Sequence, residues 1–265
     1  MSHAYLLEIP EAEAEGQVAE IYEDIRLVLG VPVVNLVYRR LAVEPELLVA
    51  VWRSLRPNLA SRTADRAAGQ LVALATPPVV TPLPAAALAA VGVDGDRARL
   101  ARSTLDAYAR ANSRNLLGMH ALLDGCRGTG ASAEPIEAPP PTAVLPSVRP
   151  DALPAAARRL LREMSAALVG GEPPILVPSL LRHFATDPPL LALLWTALRP
   201  AAGSDLGARR DALALSARGL AGALPHPVAP LERSADRGLA GRFAVAMSTL
   251  LVTGEAIRLA LGEAP

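Results

Sequence analysis

The sequence predicts an all-α protein built from two tandem helical repeats that form a pseudo-dimer, joined by a Pro-rich linker. Apolar residues recur with the helical period in most segments. Ala and Leu dominate, and alternating β-branched or aromatic runs are scarce. One stretch also occurs twice: Ala42 to Pro57 returns as Ala185 to Pro200, sharing Ala, Pro, Leu-Leu, Trp and Leu-Arg-Pro in register and placing both tryptophans, Trp52 and Trp195, at one repeat position. Duplication of a helical unit accounts for this pattern. Two similar halves packed together enclose a cleft, where function is expected.

The elements follow from local signals. Residues 15–29 carry an apolar stripe of Val18, Ile21, Tyr22, Ile25 and Leu29 before Gly30 and Pro32 stop the helix. Residues 33–41 form a second helix. Pro45 opens a third, because a first-turn residue needs no amide proton, and Pro57 closes it. A helix over 63–75 starts at a Thr63 cap. Helices over 82–91, 94–112 and 116–123 follow, the last stopped by Asp124-Gly125. Residues 127–153 turn to Gly, Ser, Ala and Pro, with Pro139-Pro140-Pro141, and read as the linker. The second half repeats the order, with helices over 154–169, 175–185, 188–198, 204–224 and 231–261. The expected units are 1–126 and 154–265, with 127–153 between them.

The 265 residues suffice for one sizeable core or two ordinary halves. The 26 basic residues, all Arg, balance 26 acidic ones, so no charge excess favours nucleic acid or an anionic membrane. Cys126 is the sole cysteine, which excludes an intrachain disulfide and a Cys-x-x-Cys motif and fits a cytoplasmic location. Glu8, Glu11, Glu13 and Glu15 make the N-terminus unlike a signal peptide. No apolar run is expected to reach membrane-spanning length. His3, His120, His183 and His226 lack the spacing of a zinc helix, so no metal is expected, and neither a hydrolase Ser elbow nor a phosphate loop occurs.

Several residues invite comment on chemistry alone. Asn112 and Asn115, three apart, share a helix face with Arg114 nearby. Arg39 and Arg182 occupy equivalent repeat positions; paired arginines could fork a carboxylate, although salt bridges to Glu23, Asp24 or Glu44 are the expected use. Trp52 and Trp195 are expected to pack at the junction of the halves.

The segment from Glu15 to Trp52, with Ile21-Tyr22-Glu23-Asp24-Ile25-Arg26, Leu29-Gly30-Val31-Pro32 and Arg39-Arg40-Leu41-Ala42, resembles the opening of the group I, non-stereospecific 2-haloacid dehalogenases. The resemblance continues at Tyr108-Ala109-Arg110-Ala111-Asn112-Ser113-Arg114-Asn115-Leu116-Leu117 and at Ser179 through Pro188. It implies an all-α fold of two repeats, a site between them, and no cofactor or metal. The implied reaction is direct attack of water, deprotonated by an Asp, on the α-carbon of a 2-haloalkanoic acid.

Carried over residue by residue, the assisting Asn matches Asn112, with Asn115 in the same motif. Ser179 matches the Ser before the catalytic Asp, but the Asp position holds Leu180, and the aromatic pocket wall is reduced to Val33 and Leu36. His183, one turn beyond Leu180, is the expected replacement base. Asp187 fits better as a helix cap, and Glu172 is a further candidate. Three readings stand: a dehalogenase with another base, a non-catalytic relative binding a small apolar carboxylic acid in the cleft, or a scaffold with a filled cleft. The expected partner is a small carboxylic acid, neither nucleic acid nor membrane, and the chain is expected to be a monomer or homodimer.

Overall fold

The computed structural model describes residues 7–77, 80–128, 133–137, 143–169, 176–202 and 204–262. The first half runs through α1 (Gly16–Leu29), α2 (Leu36–Leu41), α3 (Pro45–Leu59), α4 (Arg62–Leu74), α5 (Ala85–Ala90) and α6 (Gly95–Asp124). The second contains α7 (Ala155–Val169), α8 (Ser179–Phe184), α9 (Pro188–Leu198), α10 (Ser204–Ala221) and α11 (Ser234–Ala260). Among the described residues there is no strand, only two isolated bridges, Ser61 with Pro135 and Cys126 with Val228.

Capping explains most boundaries. Gly30 ends α1 in the left-handed region, φ 61°, with its N–H on the Arg26 carbonyl. Asp94 caps α6 by accepting from Arg97 N at 2.8 Å, and Asp187 caps α9 by accepting from Leu190 N at 3.1 Å. Several helix ends shift by three residues from expectation, as at α2, α5, α10 and α11, and three further differences have a local cause. Ser61, not Thr63, caps α4, accepting from Ala64 N at 3.2 Å. Pro57 lies inside the last turn of α3 rather than ending it.

The third difference is that α6 runs unbroken through Asn112-Ser113-Arg114-Asn115, where a break was expected. All four of these residues are buried. Their partners are tertiary or within the helix: Tyr38 for Asn115, Asp65 for Arg114 and the Ala109 carbonyl for Ser113.

The two long helices, α6 and α11, make the most extensive contact in the molecule, flanked by α4 and α10. Their joint burial unites both halves in one apolar core. By length and composition α11 passes for a membrane-crossing helix, against the sequence expectation. However, 78% of its most apolar window is buried here, so its apolarity serves the core. Across the halves, Asn58 donates to the His226 carbonyl at 3.0 Å and accepts from His226 N at 2.9 Å. Cys126 is buried and exchanges backbone hydrogen bonds with Val228.

The tryptophans join helices within each half rather than the halves to each other. Trp52 Nε1 on α3 donates to Asp24 of α1 at 2.7 Å, and Trp195 Nε1 on α9 donates to Glu163 of α7 at 3.2 Å. Each large ring is anchored by its one polar atom, which fixes the angle of its helix pair.

The Arg56 guanidinium, assisted by Trp52 and opposed by partial burial, holds the Asp24 carboxyl below its ordinary range. A carboxyl depressed in the folded state stabilises fully above its unfolded pKa, and that stability is lost as the pH falls through the folded value. Asp24→Asn is therefore expected to lower the urea midpoint at pH 7 and to flatten its fall below about pH 4. A parallel fall in wild type and variant would contradict this.

Candidate functional site

The first residues of α2 and α8 approach the middle of α6 and of α11, and a narrow, partly open cavity of about 20 Å³ lies among them. Its walls are mostly apolar, with Leu36, Phe243, Met247 and Leu250 among them. Four polar side chains interrupt them: Asn35, Tyr108, Asn112 and Ser179. Among the described residues no Asp, Glu or His lines this space.

The polar groups are coupled. Asn35 Nδ2 donates to Asn112 Oδ1 at 3.3 Å, leaving Asn112 Nδ2 and Asn35 Oδ1 buried without a protein partner. A free buried amide costs about 1–3 kcal/mol unless something binds it. Arg39 Nη2 donates to Ser179 Oγ at 2.9 Å, and the Ser179 hydroxyl bonds the Tyr108 oxygen. Tyr108 and His183 Nε2 are 3.0 Å apart, and His183 Nδ1 meets the Leu145 carbonyl. Because a carbonyl only accepts, Nδ1 carries the imidazole proton and Nε2 accepts from Tyr108. The result is a directed chain: Arg39 to Ser179 to Tyr108 to His183 to Leu145.

Burial sets the acidity of this chain. It pushes the Tyr108 phenol up to about 12, with Arg39 and Ser179 partly opposing. It also pulls the His183 imidazole below its ordinary range against the hydrogen bonds to Leu145 and Pro146, and Arg39 and Arg182 lower it further.

Those arginines come from matching positions of α2 and α8 and share one carboxylate. Glu8 Oε2 lies 3.2 Å from Arg39 Nε, and Glu8 Oε1 lies 2.7 Å from Arg182 Nη1. All three side chains are largely buried. Two cations facing one anion leave a positive surplus beside Ser179.

The expected site residues separate into two groups. Asn112, Leu36 and Ser179 line the cavity together. Leu180 does not: it is wholly buried where α6 meets α11, beside Leu105 and Gly254. His183 lies behind Tyr108, both ring nitrogens engaged, and does not face the cavity as an open base. Asn115 is fully buried and accepts from Tyr38 OH at 2.7 Å, tying α6 to α2. Val33 packs half-buried on the core outside the lining. Asp187 caps α9 and pairs with Arg97 at 2.7 Å, and Glu172 falls outside the described residues.

Arg39 and Arg182 do hold a carboxylate, but that of Glu8 rather than Glu23, Asp24 or Glu44. Sequence reasoning missed Asn35 and Phe243. Asn35 fell inside the helix expected over 33–41, whereas it precedes α2 and its side chain makes no capping bond. Phe243 carries no signal beyond an apolar helical position. No group of three His, Cys, Asp or Glu able to hold a metal occurs among the described residues.

Comparison with known proteins places the fold in a class. The architecture is that of D-2-haloacid dehalogenases: a mutant enzyme superposes with TM-score 0.84 at 17% identity, covering 98% of this chain and 97% of that one. A D-2-haloacid dehalogenase complex with L-LA gives 0.82 at 18%, covering 98% of both chains. A mutant complex with D-2-CPA gives 0.81 at 18%, covering 100% and 98%. In sequence, the chain is 34% identical over 121 residues to a configuration-inverting 2-haloacid dehalogenase of Alcaligenes xylosoxydans xylosoxydans. That match spans 45% of this chain and 40% of the relative. No protein-family profile matches.

Two outcomes follow from the geometry. Leu180→Asp buries an unpaired carboxylate in the core, and the expected loss in urea unfolding is about 3–5 kcal/mol; unchanged stability would contradict the placement of Leu180. Because the folded His183 pKa is depressed, stability should be complete above the unfolded value near 6.5 and fall as the pH drops below it. Nitrogen NMR should show His183 neutral, protonated at Nδ1, at pH 6.5, where a free imidazole is about half charged; a half-protonated ring would contradict this.

Proposed function

We propose that this chain is a relative of the group I, non-stereospecific 2-haloacid dehalogenases whose cavity binds a small carboxylic acid with an apolar substituent, without hydrolysing it by direct water attack. The carboxylate is received by Asn112 Nδ2 in the positive field of Arg39 and Arg182, and the substituent lies against Leu36, Met247 and Leu250. The observation that carries this reading is the composition of the cavity wall: a buried, unpartnered amide and a neighbouring cationic surplus, with no lining carboxylate among the described residues. Direct attack by water needs a base within hydrogen-bond reach. Ser179 and Tyr108 are neutral near pH 7, and their protons are already donated along the chain.

The sequence similarity to a dehalogenase favours a second reading, in which the hydrogen-bond chain replaces the carboxylate. Tyr108 would pass its proton to His183 Nε2 and take one from water as the water oxygen displaces halide from the α-carbon. Burial opposes both steps, since it disfavours the phenolate and the imidazolium alike.

Incubation with D- and L-2-chloropropionate, followed by chloride assay and calorimetry, separates the readings. The first predicts saturable binding of either enantiomer and no chloride above background. Chloride release that disappears in His183→Gln would overturn it in favour of the second. Asn112→Asp sets a like charge against the ligand carboxylate and is expected to weaken binding by about tenfold or more, as loss of a charged hydrogen bond does. Unchanged affinity would remove Asn112 from the site.

A further inference from the structure

Helix α6 turns a second polar face away from the cavity. Asn112 lies about 200° around the helix from Arg110, whereas Arg110 and Arg114, one turn apart, share a face. That face borders an open depression of about 430 Å³ between α4, α6 and the end of α11, and none of its lining residues belongs to the first cavity. Such a volume suits a small molecule.

Three arginines and three carboxylates line the depression, but their pairing is uneven. Arg258 takes two carboxylates, Asp106 at 2.7 Å and Glu255 at 3.4 Å. Arg114 is 1% exposed and gives only Nη2 to Asp65, so its Nε and Nη1 are buried without a partner. Arg110 donates to the Gly30 carbonyl at 2.7 Å and, among the described residues, pairs with no carboxylate. Burial and the neighbouring Arg114 charge pull the Arg110 guanidinium below its ordinary range, with Asp106 and Asp65 opposing. Two close cations therefore rely on one half-exposed carboxylate, and buried charged donors are left unmet at a cost that an anion would relieve.

We propose that this depression is a site for a small oxyanion, a carboxylate or a phosphate group, which bridges Arg110 and Arg114 and takes over the bond that Asp65 now makes. Guanidinium groups hold such anions through paired, charge-assisted hydrogen bonds. Arg110, half-buried, faces the depression, and the exposed Asp65 is the group that gives way in front of Arg114. The rim sets the size of the ligand: Asp65, Asp106 and Glu255 surround the two arginines and repel an extended polyanion such as nucleic acid. The site is independent of acid binding at Asn112.

Titration with inorganic phosphate and with acetate, at an ionic strength held constant by sodium chloride, tests the assignment by calorimetry and by the Nε–H resonances of Arg110 and Arg114. Wild type is compared with Arg110→Gln and Gly69→Glu, each checked for cooperative melting by circular dichroism. Gly69 lies on the α4 wall, where an added Cβ meets nothing within 4 Å, so Glu fits the helix there and sets a like charge in the depression. At least one of the two anions is expected to bind saturably and shift both arginine resonances, and the one that does so identifies the source. Each folded variant is expected to weaken that binding by about tenfold or more, as loss or cancellation of a charged hydrogen bond does.

Absence of a saturable shift at Arg110 and Arg114 with either anion would overturn the site. Binding unchanged in a folded variant would also overturn it, because the anion would then sit elsewhere. Both results leave the cavity at Asn112 standing, since the two share no residue.

Discussion

Glu8 between Arg39 and Arg182 is the interaction on which the site depends. The two arginines sit on α2 and α8, the short helices whose first residues border the cavity, and one carboxylate draws both toward it. Each ion is largely buried, so removing Glu8 would leave two close cations without compensation, a far larger penalty than loss of a surface pair. The same arrangement orients Ser179 through Arg39 and sets the field around Tyr108 and His183. Structural anchoring and the electrostatics of the cavity thus share one source.

The cavity combines mostly apolar walls with polar groups that lack a protein partner. A low-dielectric surround raises the cost of leaving polar groups unsatisfied. Yet Asn112 and Asn35 each leave one polar atom unpartnered there. The hydrogen-bond chain from Arg39 to Leu145 consumes its donors internally, so those two amides are the groups left to meet a guest. The fold matches that of D-2-haloacid dehalogenases, while the chemistry its cavity can perform depends on the side chains present, and folds host more activities than one.

Much of the architecture was legible because helical periodicity is local. The stripe of α1, the Pro45 start of α3, the Asp94 cap and the Pro188 start of α9 all follow from neighbours in sequence. The unbroken course of α6 was not legible, because Asn112-Ser113-Arg114-Asn115 reads as a junction between two helices until Tyr38 and Asp65 are brought to it by α2 and α4. The site divided the same way. Asn112, Leu36 and Ser179 meet at the cavity, whereas adjacency misled for Leu180, since consecutive helical residues point about 100° apart. The partner of the paired arginines lay in the N-terminal segment, whose acidic character had spoken only to targeting. Phe243 is visible as a cavity-lining residue only when α11 is set against α2.

The central claim is that Asn112 presents a free amide to an acid inside the cavity. Its most direct test is the side-chain amide resonance of Asn112 during titration with butanoate, assigned by comparison with Asn112→Leu. The account predicts a saturable shift of Asn112 Nδ2–H, accompanied by Asn35 and tracking the calorimetric affinity. Binding that leaves the Asn112 amide unmoved would contradict it.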